Sequence, residues 1–207
     1  MPTPKDMQAG DRVGLVKAAR IFSNVISPPI MFAALGLAIA LSERPFWPGF
    51  GWAWVYGLLI SGAPILVVLF LLYTNRIAEL HMSNTRERHI PYISAVFFAV
   101  VAYLILRFAG GPAGLICLAI FNIIELSALG IINAYWLISL HSAGMTATVV
   151  IVALVFGWLP ALCLLPLLLL VVYARLFLKR HNMAQILAGI ALGAGAVLIL
   201  VPFGCFT

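Results

Sequence analysis

Seven apolar runs, at roughly residues 22–42, 53–73, 92–109, 113–137, 143–158, 160–178 and 186–204, alternate with short polar or turn-forming separators. Runs of about 17 to 25 apolar residues cross a bilayer as helices, because in lipid every backbone N–H and C=O must be bonded within its own segment. The pattern therefore predicts an all-α fold: a polytopic transmembrane helix bundle of six to seven membrane helices, forming a single integral-membrane domain over 1–207. The fifth run is short and nearly touches the sixth. The separators ("SERPFWPGFG", "TNRIAELHMSNTRERHIP", "GGP", "ISLHSAG", "GWLP", "RLFLKRHNMAQ") carry the Gly and Pro at which helices end. Pro28-Pro29 and Pro64 read as helix kinks.

Composition narrows the class. Hydrophobic residues make up 64% of the chain and charged ones 9%, against about 25% charged in soluble domains. The polar segment over 1–21 contains acids and fits a cleaved signal peptide poorly. The formal charge of +6, with basic residues at helix ends and no nucleic-acid motif, suits an anionic lipid surface. If all seven runs cross, the N-terminal segment and residues 74–91, 138–142 and 175–185 share one face. That face receives all four histidines and ten of the twelve basic residues, and the positive-inside rule predicts it to be cytoplasmic. Cys117, Cys163 and Cys205 have no paired spacing and read as packing residues.

Three of the separators on that face carry candidate chemistry. In "ARLFLKRHNMAQ", residues 174–185, Lys179 and Arg180 read as topological anchors. Arg175 and His181 would lie about 240° apart on a continuous helix, so only a loop brings them together. His181 and Gln185, four apart, are expected on one face of the first turn of the last helix, where Gln185 could orient the imidazole. In "ISLHSAG", His141 precedes a helix with Ser142 as its expected N-cap, a start that favours anions. In "HMSNTRERH", Arg86 and Arg88 offer guanidinium forks for phosphate oxygens beside His81. His89 reads as an interfacial residue.

These pieces resemble the motifs of the type 2 phosphatidic acid phosphatase superfamily. Its first motif, Lys followed seven residues later by Arg-Pro, is matched strictly only by Arg88, with His81 at the Lys position and His89 at the Pro. Its second, Pro-Ser-Gly-His, is similar to Ile138-Ser139-Leu140-His141. Its third, Ser-Arg, five residues, His, three residues, Asp, reads Ala174-Arg175, then His181, then Gln185. The resemblance covers about residues 76–195. It implies a membrane phosphatase that hydrolyses a lipid phosphomonoester or isoprenoid diphosphate without metal or other cofactor, in the cytoplasmic membrane of a bacterium or archaeon. By that similarity His181 attacks phosphorus, His141 protonates the leaving alkoxide, and Arg88 and Arg175 stabilise the equatorial oxygens, with Ser139 and His81 as auxiliary phosphate contacts. Gln185 stands where Asp would stabilise the imidazolium, and an amide in that place lowers activity by orders of magnitude in hydrolase triads.

Gln185 and Ala174 also favour an alternative, a catalytically weak or inactive subunit of the same fold that binds lipid phosphate or serves structure. A prenyltransferase would require Asp-rich magnesium motifs, and the site loops contribute only Glu79 and Glu87. Glu125, deep in the fourth run with Asn122 as its nearest sequence partner, is expected as a structural bond between helices or a protonation site. "GIALGAGA" permits close helix packing through Gly189, Gly193 and Gly195. Trp47, Trp52 and Trp54 suit an interfacial aromatic belt.

Overall fold

The structure, a computed structural model, describes residues 14–77 and 88–207. Among the described residues all regular structure is helical: α1 (Gly14–Val25), α2 (Pro28–Glu43), α3 (Phe46–Gly57), α4 (Ala63–Tyr73), α5 (His89–Phe108), α6 (Ala113–Tyr135), α7 (Leu140–Phe156), α8 (Trp158–Phe177) and α9 (Met183–Leu198). A π turn, Leu58–Gly62, joins α3 to α4, and a 3-10 turn, Val201–Phe203, follows α9.

Five stretches are long and apolar enough to cross a membrane: Phe46–Tyr73, His89–Phe108, Ala113–Tyr135, Trp158–Phe177 and Met183–Phe203. The pair α1 and α2 makes a sixth if it counts as one broken span. The expected six to seven thus become five to six by length. The first apolar run is cut because Pro28 and Pro29 open a new helix, at positions where a missing N–H costs nothing. The fifth run is the 17-residue helix α7, which rises only about 26 Å against a hydrocarbon core of about 30 Å. Leu66, Phe70, Phe97, Phe108 and Leu169 are each at least 60% exposed. So much exposed apolar surface suits lipid rather than water, and the chain is a membrane protein by the length and composition of its helices.

The helices group into two compact units. The first takes residues 14–31 and Ile138–Val197; the second takes Phe32–Leu137, as far as described, and Leu198–Thr207. In the first, Met31, Met145 and Val171 form a core against Phe22, Ile26, Val149, Leu164, Leu167 and Leu168. Helices α7 and α8 follow one another across Gly157 alone, whose φ of +94° is open to glycine. Helix α9 lies on the start of α7 through Gly189 and Gly193: a Cβ on Gly189 would sit 2.6 Å from the Ser139 carbonyl oxygen, and one on Gly193 would strike the Ala143 carbonyl. Gly195 faces open space and takes no part.

In the second unit α5 packs along α6. Phe32 meets Phe121 edge-on at 5.5 Å, and Gly36 leaves room for the Tyr56 ring. The start of α6 is tied down by a bond from Gly114 N–H to Glu43 Oε1 at 2.8 Å. Cys117 and Cys205 are joined by a disulfide with Cα atoms 5.5 Å apart, which corrects their reading as packing residues: the 88-residue separation hid a pair that the fold brings together. Only Cys163 is free. Pro64 stands at the start of α4, inside the helical stretch Phe46–Tyr73 and directly after the π turn. Just before it, the Ala63 N–H reaches back five residues to the Leu58 carbonyl, which makes the π turn.

Candidate functional site

The candidate residues of the first unit gather where α7 and α9 begin, α8 ends and α1 passes. Helix α7 starts at Leu140, so its N-cap is Ser139 rather than the expected Ser142. Ser139 Oγ accepts from the Ser142 N–H at 3.3 Å and from the Ser142 hydroxyl at 3.0 Å. His141 therefore sits in the first turn of the helix, where the aligned peptide dipoles favour negative charge. The Ser139 N–H donates to the Gln185 carbonyl at 3.2 Å, which fastens the start of α9 to the start of α7.

The end of α8 supplies the loop that the spacing of Arg175 and His181 requires. Lys179 adopts a left-handed φ of +54°. Its N–H donates to the Leu176 carbonyl and that of Arg180 to the Arg175 carbonyl, the paired bonds of a Schellman cap with lysine in the usual glycine position. The His181 N–H also lies 3.4 Å from the Arg175 carbonyl, so the cap carries His181 back over the turn that holds Arg175. Arg175 is 5% exposed, His181 7% and Arg180 9%. Arg180 is thus buried in the unit, while Lys179 is exposed.

His181 precedes α9 instead of standing on its first turn. Asn182 caps that helix: the Gln185 N–H donates to Asn182 Oδ1 at 2.9 Å, and the Asn182 N–H donates to Gln185 Oε1 at 3.0 Å. This reciprocal capping box engages the Gln185 carbonyl oxygen that was expected to orient the imidazole. Gln185 is fully buried, and its Nε2 has no hydrogen-bond acceptor.

Ser23 of α1 connects two of the candidates. Its hydroxyl accepts from Arg175 Nη1 at 3.1 Å, and its carbonyl oxygen lies 3.0 Å from His141 Nε2, which acts there as the donor. One residue thus sets two oxygens against a guanidinium and an imidazole. Ser23 falls just inside the first apolar run, where a single serine carries no motif that marks it in the sequence. Asn182 is marked in the sequence only by the Asn-x-x-Gln spacing of "NMAQ".

Arg88 belongs to the second unit, where it hydrogen-bonds the Tyr92 side chain. His81 and Arg86 lie outside the described residues, as do Glu79 and Glu87. Among the described residues no three His, Cys, Asp or Glu side chains cluster in a way that could hold a metal ion. Within the first unit the described residues include Lys17, Arg20, Arg175, Lys179, Arg180, His141 and His181 but no Asp or Glu, so their summed field is positive and draws anions.

No family model, curated protein or solved structure matches the chain. The likeness to the phosphatase superfamily therefore stands on the motif residues between 76 and 195 alone.

Proposed function

We propose that the first unit binds the phosphate of a lipid phosphomonoester or diphosphate and hydrolyses it through a phosphohistidine on His181. The supporting observation is the gathering of Ser139, His141, Arg175, His181 and Gln185 around the start of α7. In this reading the Arg175 guanidinium holds two phosphate oxygens, and the α7 N-terminus stabilises the charge that grows on them. His181 displaces the alkoxide, which takes a proton from His141, and water then cleaves the phosphoramidate. The open Nε2 donor of Gln185 serves a phosphate oxygen rather than the imidazole. Ser23 must give way first, since its two oxygens occupy donors that the phosphate requires.

A second reading, a non-catalytic lipid-phosphate-binding or structural subunit, is favoured by the engagement of Gln185 Oε1 in the capping box. The test is phosphate release by detergent-purified protein from a panel of lipid phosphates and diphosphates, in EDTA, with His181→Ala as the control. Release that disappears in the variant supports hydrolysis. Binding of the same lipids without release moves the assignment to the second reading.

We further infer that all seven apolar segments cross and that the histidine face is cytoplasmic. Support comes from the disulfide, since two bonded cysteines must lie on one side of the membrane. An even number of crossings then separates Cys117 from Cys205, so the short helix α7 joins α6, α8 and α9 as the fourth. Disulfides persist in oxidising compartments, and the basic residues crowd the opposite face by crossing count. A Ser83→Cys variant that a membrane-impermeant maleimide labels from outside intact cells would overturn this orientation.

A further inference from the structure

The second unit holds a polar group of a different kind, independent of the phosphate reading. Glu125 and Asn122 stand one turn apart on the same face of α6, both fully buried in an apolar segment. Neither oxygen of Glu125 has a hydrogen-bond donor, and neither has Oδ1 of Asn122. The Asn122 amide is not free to turn and help. Its Nδ2 donates to the Tyr56 hydroxyl oxygen at 2.8 Å and to the Leu118 carbonyl at 2.7 Å. The carbonyl can only accept, so a flipped amide would set oxygen against oxygen. Oδ1 is thereby fixed as an acceptor on the side away from Leu118.

Asn122 thus makes the bond between helices, to α3, that was expected of Glu125. Among the described residues no cation bonds either oxygen of Glu125. Tyr56 of α3 and Tyr92 of α5 are within electrostatic reach. Tyr92 is itself engaged by Asn133 at 2.9 Å and by Arg88. Glu43 of α2 bonds the far end of α6 at Gly114. A carboxylate with no donor bonded to it in such a place is heavily penalised. A carboxylic acid is not, because its O–H supplies the missing donor to a neighbouring acceptor.

We propose that Glu125, Asn122 and Tyr56 form a proton-binding site inside the membrane-spanning part of the second unit, with the proton carried on Glu125 and shared with Asn122 Oδ1. The chain of bonds then runs from the Glu125 O–H to Asn122 Oδ1, and from Asn122 Nδ2–H to Tyr56 Oη, linking α6 to α3. The π turn that follows α3 begins two residues after Tyr56, and such turns recur at functional sites. Release of the proton requires a local opening that admits water or a cation to the carboxylate.

The test is infrared spectroscopy of the full chain in an ester-free detergent at neutral pH. The expected result is a protonated-carboxyl C=O band that shifts down in D2O, is lost in Glu125→Gln, and shifts up in Asn122→Ala as the hydrogen bond disappears. Glu125→Gln should fold as well as the parent, because its amide N–H can donate to Asn122 in place of the acid. If that variant does not fold, the D2O shift and the Asn122→Ala shift still decide. Absence of the band, or a band indifferent to Asn122→Ala, overturns the proposal. A band present without sodium and replaced by a carboxylate band in NaCl also overturns it, in favour of a Na+ site.

Discussion

Replacing Gly193 by alanine tests the close approach of α9 to α7. The added Cβ would strike the Ala143 carbonyl oxygen and lie 2.8 Å from its carbon and 3.0 Å from Cα. An ordinary contact begins near 3.4 Å, so α9 must retreat by 3.4 − 2.8, about 0.6 Å, to clear the carbon alone. Clearing the nearer oxygen takes more. Both sides of the contact are helix backbone, so no side chain can rotate away. Gly189→Ala meets the Ser139 carbonyl oxygen at 2.6 Å and should act in the same direction. Overpacking of this kind costs about 1 to 3 kcal/mol. The same substitution at Gly195, where nothing lies within 4 Å, should gain up to about 1 kcal/mol in helix propensity. Because all three changes are Gly to Ala in one helix, the propensity contribution nearly cancels between them. Unfolding of purified protein in SDS, followed by tryptophan fluorescence, should rank Gly195→Ala above Gly189→Ala and Gly193→Ala, with a gap of about 1 to 3 kcal/mol. Equal stability of Gly193→Ala and Gly195→Ala would refute the packing.

Ser23→Ala removes the hydroxyl from Arg175 but leaves the backbone carbonyl on His141; a loss of about 1.5 to 3 kcal/mol is expected for a bond to a charged group, read by the same unfolding assay, and a neutral result would mean that water or another residue replaces the hydroxyl. Asn182→Ala should cost about 1 kcal/mol through the α9 cap, whereas Asn182→Asp should be close to neutral because it keeps the acceptor; equal effects would remove the capping box from the account. Cys117→Ser and chemical reduction should lower stability by the same amount, at most about 4.6 kcal/mol for a loop of this length in the chain-entropy view. Helices that stay inserted in the unfolded state bring the figure down, and a variant as stable as the parent would count against the disulfide.

Hydropathy made most helices legible, because α3 to α6, α8 and α9 each carry enough apolar residues to leave little choice of state. It misjudged α1, where Lys17 and Arg20 make the helix look like polar approach although Ser23 on it is buried. It also misplaced helix starts, by three residues at α5, α7 and α9 and by seven at α3. A start depends on which side chain reaches the free N–H groups, and both Ser139 and Ser142 were eligible at α7. For the candidate site, spacing showed that Arg175 and His181 needed a loop but not which loop. The left-handed Lys179 that builds it has no signature, since glycine is the residue that announces such a cap. The geometry of Gln185 was partly legible, four residues from His181 and three from Asn182; the nearer backbone partner prevailed because a helix start leaves N–H groups that must be bonded. Glu125 stood out by its depth alone, while the locked amide of Asn122 beside it depends on Tyr56, 66 residues away.

The Cys117–Cys205 bond closes residues 117 to 205 into a covalent ring that contains Ser139, His141, Arg175, His181 and Gln185. Cutting the backbone once anywhere inside that ring leaves a single molecule, its two halves still tethered. A protease that nicks the 178–182 turn therefore produces no change on a non-reducing gel and two fragments on a reducing one. The same tether lets the severed ends find each other again, so nicked protein can keep its shape, and any activity it has, until a reductant reaches the sulfurs.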